Sequence, residues 1–295
     1  MTRAPTRAVL VTGASTGIGR ATALHLDGLG MRVYAGVRRK PDADALTQAA
    51  SDRLVPVILD ITDERTVAAA ADQLRTELAE AGLHGLVNNA GITGVGPWEF
   101  LALDELREVL EVNVVGQLAV TQALLPAVRA AAGRIVFTSS ISGRFAAPFL
   151  GPYAASKFAL EALAESLRRE VAPTGVRISV IEPGNIDTPI WGKALRKDPR
   201  TRFGLAAETL YGPGLQFATS MAERGARTAI PAAKVAHAIG HALTDRRPRR
   251  RYLVGLDARL SVPIGTHAPA LLDWAIARAT GRQRIKLGGD SSPVL

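Results

Sequence analysis

The sequence predicts a single-domain α/β fold, a doubly wound parallel sheet of about seven strands with helices on both faces. Three observations predict it. Short runs rich in valine, isoleucine and leucine alternate with stretches of helical periodicity through the first 255 residues. Parallel strands joined by crossover helices require that order. The first run, Ala8-Val-Leu-Val-Thr, stops at a glycine-rich turn that leads straight into a helical pattern. No internal repeat or interdomain linker interrupts the 295 residues, a length that one large α/β domain fills.

Strands are expected at 8–12, 32–37, 54–59, 85–88, 133–139 and 177–181, with a short last strand at 252–254. Helices are expected at 17–29, 63–81, 104–130, 152–171 and 231–244, where apolar residues recur at helical spacing. Pro189, Pro213 and several glycines make 188–230 read as irregular. Residues 1–256 then form the main body. Residues 257–295 form a basic extension packed on it, with an amphipathic piece at 268–279 and a frayed end.

Apolar residues make up 47% of the chain and aromatics 5%, which suits an aliphatic globular core. The absence of cysteine excludes disulfides, thiolate metal sites and cysteine nucleophiles. No run of about eighteen apolar residues is expected to span a bilayer. Residues 1–7 lead directly into the first strand, so a signal peptide is not expected and a cytoplasmic protein is. The formal charge is +9, and residues 246–286 supply +8 of it. That cluster lacks interleaved aromatics and any nucleic-acid motif, so nucleic acid is not an expected partner. His237 and His241 lie four apart but have no carboxylate or thiolate beside them, so no metal is expected.

Two local patterns carry chemistry. The turn Gly13-Ala-Ser-Thr-Gly17-Ile-Gly19 lies between a strand and a helix, the arrangement that receives a dinucleotide pyrophosphate. Its spacing differs from the commoner Gly-x-Gly-x-x-Gly. Tyr153 and Lys157 stand at i and i+4, on one helix face. A tyrosine of ordinary pKa, about 10, is a poor acid or base at neutral pH. A neighbouring ammonium favours tyrosinate, so Lys157 is expected to lower the Tyr153 pKa. Ser139, Ser140 and Ser142 lie upstream as candidates to orient a substrate oxygen.

Together these patterns resemble the short-chain dehydrogenase/reductase family, an extended Rossmann fold, over residues 7–255. The resemblance is closest to hydroxysteroid- and retinol-dehydrogenase-like members. It rests on Thr12-Gly13-x-x-x-Gly17-x-Gly19, Asp60, Asn88-Asn89-Ala90-Gly91, Asn113, Ser140, Tyr153-x-x-x-Lys157 and Pro183-Gly184, in that order. The thirteen-residue offset from Tyr153 selects Ser140 over its neighbours. The resemblance implies a catalytic set of Asn113, Ser140, Tyr153 and Lys157, with Asn113 kinking its helix and holding a water that links Lys157 to solvent. It implies cofactor contacts from Gly13, Ser15, Thr16, Gly17, Ile18 and Gly19, and from Asp60 and Ile61 at the adenine. Asn89, Ala90 and Gly91 follow, with Pro183, Gly184, Ile186 and Thr188 near the nicotinamide. Tyr153 and Lys157 also face its ribose.

Members that prefer NAD(H) carry an acidic residue at the end of the second strand. This chain has Val37 there, followed by Arg38, Arg39 and Lys40. Nothing repels a 2′-phosphate and a guanidinium can clamp it. NADP(H) is therefore the expected cofactor, with Arg38 ahead of Arg39 and NAD(H) the alternative. Thr16 stands where some NADP-binding relatives carry a basic residue.

The expected activity is NADP(H)-dependent interconversion of a hydrophobic ketone or aldehyde and its alcohol. The apolar stretches Phe145–Pro152, Ile190-Trp191 and Phe203-Gly-Leu suit such a substrate. The alternatives are an NAD-dependent oxidative dehydrogenase and a non-catalytic nucleotide-binding protein. A homodimer or homotetramer is expected. The basic extension is read as covering the pocket or a subunit interface, ahead of a peripheral membrane contact.

Overall fold

The computed structural model describes residues 7–190 and 199–279. Its main sheet has seven parallel strands in the order β3-β2-β1-β4-β5-β6-β9. They are β1 (Ala8–Val11), β2 (Arg32–Val37), β3 (Leu54–Ile58), β4 (Gly85–Asn88), β5 (Arg134–Thr138), β6 (Arg177–Pro183) and β9 (Arg251–Val254). The chain winds outward from β1 to β3, then crosses back to β4 and winds the other way. The carboxyl ends of β1 and β4 flank that switch point, where open α/β sheets bind ligands.

The strands are buried on both faces, so their residues alternate between two cores. Ala8 and Leu10 point into one with Leu86, Ile135 and Phe137. Val9 and Val11 point into the other with Val87 and Val136. Helices α3 (Glu64–Leu78), α5 (Gly116–Ala130) and α6 (Gly151–Val171) cover the first face through Leu74, Leu124 and Leu160. On the second face, α1 (Gly17–Gly28) packs beside a later helix, 232–244, through Leu26 and Ile239.

Several elements depart from the expected ones. Helix α2 (Lys40–Ala49) occupies a stretch to which no element was assigned. Its Pro41 and Asp42 sit in the first turn, where proline loses no hydrogen bond and an acid complements the dipole. Helix α3 stops at Leu78, and Gly82 at φ 65° turns the chain toward β4. The expected helix 104–130 is α4 (Leu103–Leu110), a π turn at Glu111–Val115, then α5. The stretch Leu103–Ala130 is long and apolar enough to cross a membrane by length and composition, contrary to the sequence reading. Here Val120, Leu124 and Val128 press its inner side on the sheet.

The stretch read as irregular holds β7 (Ile186–Asp187), helix α7 (Pro199–Thr228) and β8 (Ile230–Pro231). β7 and β8 pair in parallel. Gly204 at φ 81° breaks the helical path of α7. The helix then resumes and carries Pro213. Beyond it come α8 (Ala232–Thr244) and, after β9, α9 (Leu256–His267) and α10 (Pro269–Ala279). α9 buries Ala258 and Val262 and turns Leu256, Leu260 and Ile264 outward. His237 meets the ring of His25, and His241 hydrogen-bonds the Tyr252 hydroxyl.

Candidate active site

The glycine-rich turn is built by close contact. Gly13 and Gly17 have φ of 63° and 53°, the left-handed region that favours glycine. A methyl at Gly13 would lie 2.8 Å from Ala90 Cα, and one at Gly19 2.1 Å from the Gly13 carbonyl oxygen. Thr12 locks the turn to β4. Its hydroxyl accepts from Asn89 N at 2.9 Å and Ala90 N at 3.0 Å. The Asn89 amide donates to the Thr12 carbonyl at 3.0 Å and the Gly13 carbonyl at 3.3 Å. Ser15 is half-buried, Thr16 exposed, and Ile18 packs on the core. No acidic residue sits in the first turn of α1 and no side chain caps it, so its amide end suits an anion.

Two groups flank this turn at the ends of β2 and β3. Arg39 is engaged by Asp42 through two hydrogen bonds, at 3.0 and 3.2 Å. Arg38 is exposed and has no ionic partner among the described residues, while Val37 beside it is buried. Asp63, not Asp60, caps α3. Asp60 instead accepts from the Thr62 amide and hydroxyl at 3.0 and 2.8 Å through one oxygen. Ile61 is buried in the core, its carbonyl against Gly116.

Asn113 lies fully buried in the π turn. Its Oδ1 accepts from Ile92 N at 2.8 Å, and its Nδ2 donates to Ile92 O at 2.8 Å and Ser156 Oγ at 2.9 Å. A side chain held on two elements inside a helix accounts for the π turn there. The segment after Gly91 is thereby clamped beside Lys157: a methyl on Gly91 would lie 3.2 Å from Asn113 Oδ1 and 3.8 Å from Lys157 Nζ. Gln117, one turn on, donates to the Ala90 carbonyl at 2.7 Å. Sequence reading passed over Gln117 and Ser156. Their only signal was polarity on the sheet-facing side of a helix.

The structure brings Ser140, Tyr153 and Lys157 together. Ser140 stands near enough to Tyr153 for its hydroxyl to favour the ionised phenol, and it accepts from Ser142 N at 3.1 Å. Ser139 Oγ is buried without a hydrogen-bond partner and lies against Gly143. Lys157 donates to the Thr138 carbonyl at 2.8 Å. The expected lowering of the Tyr153 pKa by Lys157 is not what the structure has. Burial pushes the phenol up to about 12, opposed only by the Ser140 hydroxyl. Burial pushes Lys157 down to about 8, opposed by Glu161. Desolvation outweighs the pairing because the ammonium turns to a carbonyl instead of the phenol oxygen. The arrangement presents a protonated phenol and a serine hydroxyl side by side, with a cation beneath.

The loop after β6 closes the site. Gly184 N donates to the Val254 carbonyl at 3.0 Å, following Pro183 at the strand's end. Asn185 N donates to the Asp257 carboxylate at 2.6 Å, and Ile230 N to the Asn185 carbonyl at 3.0 Å. Ile186 is buried, and the Thr188 methyl lies 3.1 Å from where a Gly17 side chain would begin. The loop thus meets the glycine-rich turn. Asp257 was not foreseen, since nothing local marks a residue that acts 72 positions away. Near the start of α6, Phe149 and Phe100 pack edge-on against Tyr211 of α7, Trp98 covers Gly151 and Phe203 covers Gly96. Trp191 lies outside the described residues.

The comparisons with known proteins agree with this geometry. The short chain dehydrogenase family profile matches residues 7–199. The chain is 40% identical over 283 residues to retinol dehydrogenase 5 of Mus musculus, covering 92% of this chain and 89% of that protein. It is 35% identical over 286 residues to 17-beta-hydroxysteroid dehydrogenase type 6 of Homo sapiens, covering 92% and 88%. A solved short-chain dehydrogenase from Streptomyces avermitilis superposes with TM-score 0.75 at 32% identity, over 95% of this chain and all of that one. One from Burkholderia cenocepacia J2315, in complex with NADP, gives 0.71 at 27% identity over 92% and 97%. One from Burkholderia phymatum, in complex with NAD, shares the fold at TM-score 0.75 and 24% identity over 92% and 97%. With its glycine turn, its Ser-Tyr-Lys cluster and these relatives, the chain belongs to the short-chain dehydrogenase/reductase family.

Proposed function

We propose that this oxidoreductase interconverts a hydrophobic ketone or aldehyde and its alcohol with NADP(H), using Tyr153 as general acid and base. The observation that carries the reading is the grouping of Ser140, Tyr153 and Lys157 at the switch point of the sheet, with Lys157 held on the Thr138 carbonyl. A nicotinamide cofactor, when bound, supplies or accepts the hydride. The residues present fit such a group. Gly13, Gly17 and Gly19 let the turn close tightly against Ala90 and Thr188 at the uncapped amide end of α1, which suits a pyrophosphate, with Ser15, Thr16 and Ile18 along the turn. Asp60 and Ile61 border the adenine end, Ala90 and Gly91 the middle, and Pro183 to Thr188 the nicotinamide end.

Ser140 Oγ and Tyr153 Oη hold the substrate oxygen. In reduction Tyr153 Oη gives it a proton, and in oxidation takes one back. The charge on Lys157 offsets the tyrosinate that forms. Asn113 fixes the segment beside Lys157, and the replacement proton enters along that side.

Buried Val37 and unpaired Arg38 support NADP(H). NAD(H) with an oxidative direction is the second reading, favoured by Thr16 where some NADP-binding relatives are basic. The aromatic cluster of Phe100, Phe149 and Tyr211 supports a bulky apolar substrate such as the retinol or hydroxysteroid in the relatives' names. A homo-oligomer is supported by the apolar groove of Leu118, Leu163 and Leu167 and, on another face of α6, by exposed Phe158. A cytoplasmic location and a pocket- or interface-covering role for residues 257–295 complete the proposal. The test is a panel of ketones and alcohols followed at the nicotinamide absorbance with each cofactor. No turnover of any member with either cofactor overturns it.

A further inference from the structure

Helix α6 carries Tyr153, Lys157, Glu161 and Glu165 at successive i, i+4 positions. The first two face the site. Glu161 continues the same line inward and is buried to 6% exposure, which is rare for a carboxylate without a partner. Gly143 makes room for it, since a methyl there would lie 3.0 Å from Glu161 Cγ and 3.1 Å from the Lys157 carbonyl. Arg251 of β9 donates to Glu161 Oε2 at 3.0 and 3.2 Å. The other oxygen, Oε1, is buried and accepts no hydrogen bond. Its charge is only half quenched.

The same Arg251 lies 3.0 Å from the carboxylate of Glu182, which is buried to 1% exposure on β6. Arg144 reaches that carboxylate at 3.3 Å. Burial raises the Glu182 pKa first, and the nearby Glu161 adds to it. Each member of this cluster stands next to a segment of the site. Arg144 follows Ser140 by four residues, Glu161 follows Lys157 by four, and Glu182 precedes Pro183. Glu165 also lies 3.8 Å from Arg251. Two buried carboxylates held by two partly exposed guanidinium ions are costly to desolvate and add little to stability by themselves. The placement of this cluster behind three catalytic segments gives it another role.

Resting on the function proposed above, we infer that Glu161 is a positioning residue for the reaction. Braced by Arg251, Glu182 and Arg144, it keeps Lys157 in its charged form and fixes α6 against the strand ends that carry Ser140 and Pro183. The groups around Lys157 support this assignment. Its own helix supplies Tyr153 and Glu161, β5 the Thr138 carbonyl, and the segment after β4 only Gly91 with neutral Asn113 behind it. Glu161 is the charged group that acts on Lys157 in the direction of retaining its proton.

The test follows the Nζ resonance of Lys157, one of six lysines, by heteronuclear NMR across pH, assigned by its loss in Lys157→Ala. In parallel, the pH profile of kcat/KM for carbonyl reduction is recorded. Glu161→Gln lowers both midpoints by about one pH unit, as expected on removing a charge at this range in a protein interior. Glu161→Asp keeps the charge but withdraws it by a methylene, and gives a smaller shift of the same sign. Glu170→Gln, exposed further along the same helix and outside the cluster, leaves both midpoints in place. If the Gln variant does not fold, the Asp variant is read alone. A midpoint unmoved in whichever variant folds, with kcat reduced equally at every pH, overturns the inference. If no carbonyl is turned over, the proposed function fails, and the Nζ titration still decides the role of Glu161.

Discussion

Lys157 stands one helical turn from Tyr153, yet its ammonium does not meet the phenol oxygen. Nζ lies 5.6 Å from the centroid of the tyrosine ring and donates to the Thr138 carbonyl. The contact between the two is through space and in a dry environment, where a charge reaches further than in water. Tyr153 therefore keeps its proton with Ser140 beside it, and the lysine charge becomes most valuable when that proton leaves.

Tyr153→Phe is expected to lower turnover by roughly 10²–10⁴-fold, the range that general acid catalysis contributes. Cofactor affinity stays nearly unchanged, because the ring remains and only the hydroxyl is lost. Steady-state rates and a fluorescence titration with NADPH check both halves. Activity above about a hundredth of wild type would mean that another group donates the proton.

Lys157 has a folded pKa of about 8 against an ordinary 10.5. A base depressed by folding binds fewer protons folded than unfolded between those values, so its contribution makes stability rise with pH across that window. Relative to Lys157→Met, wild type gains ~3 kcal/mol of unfolding free energy between pH 8 and 10.5. Carbonyl reduction moves the other way over the same range, as the charge beside Tyr153 is lost. Urea denaturation at both pH values measures the first, and a flat difference between the two proteins contradicts the burial of this charge.

Val37→Asp with Arg38→Leu is expected to shift preference toward NAD(H) by ten- to a hundredfold. Loss of a charged hydrogen bond to phosphate costs about 1.5–3 kcal/mol. Arg39→Leu changes the ratio little, since Arg39 is already engaged by Asp42. The ratio of kcat/KM for NADPH and NADH reads all three, and an unchanged ratio in the double variant moves the discriminating contact elsewhere.

The proposed self-association is expected to give a mass above the 31.1 kDa of one chain. Val115, at the end of the π turn, and Phe158, on α6, are large apolar residues exposed on the surface. Phe158→Asp with Val115→Asp is expected to leave a folded monomer, because a carboxylate buried against a second copy has no partner. Sedimentation equilibrium at micromolar concentration is the measurement. A monomeric wild type rules the interface out.

The glycine turn, the strand order and the Ser-Tyr-Lys cluster were legible because each is encoded within a few residues. Ser140 could be preferred to Ser139 by spacing, and its place beside Tyr153 agrees. What escaped was set by distant contacts. The direction of the Tyr153 pKa depends on how much protein surrounds it, which Tyr-x-x-x-Lys does not contain. Helix α7 was read as irregular because Gly204 and Pro213 interrupt its local pattern; Gly204 does break the helical path, and the helix that resumes beyond it carries Pro213. Helix α2 was missed although Pro41 in its first turn is a start signal, because its ten residues bury only Leu46 and so carry little apolar periodicity.

A boundary drawn at residue 256 would keep every recognisable motif and discard Asp257, the carboxylate that holds Asn185 N at 2.6 Å. The loop facing the glycine turn is thus moored to the part of the chain that the motifs do not reach. Anything that grips α9, whose outer edge shows Leu256, Leu260 and Ile264, pulls on a tether that ends beside the site. A shortened chain is then expected to fold, bind nucleotide weakly and work poorly, with Ser140, Tyr153 and Lys157 all in place.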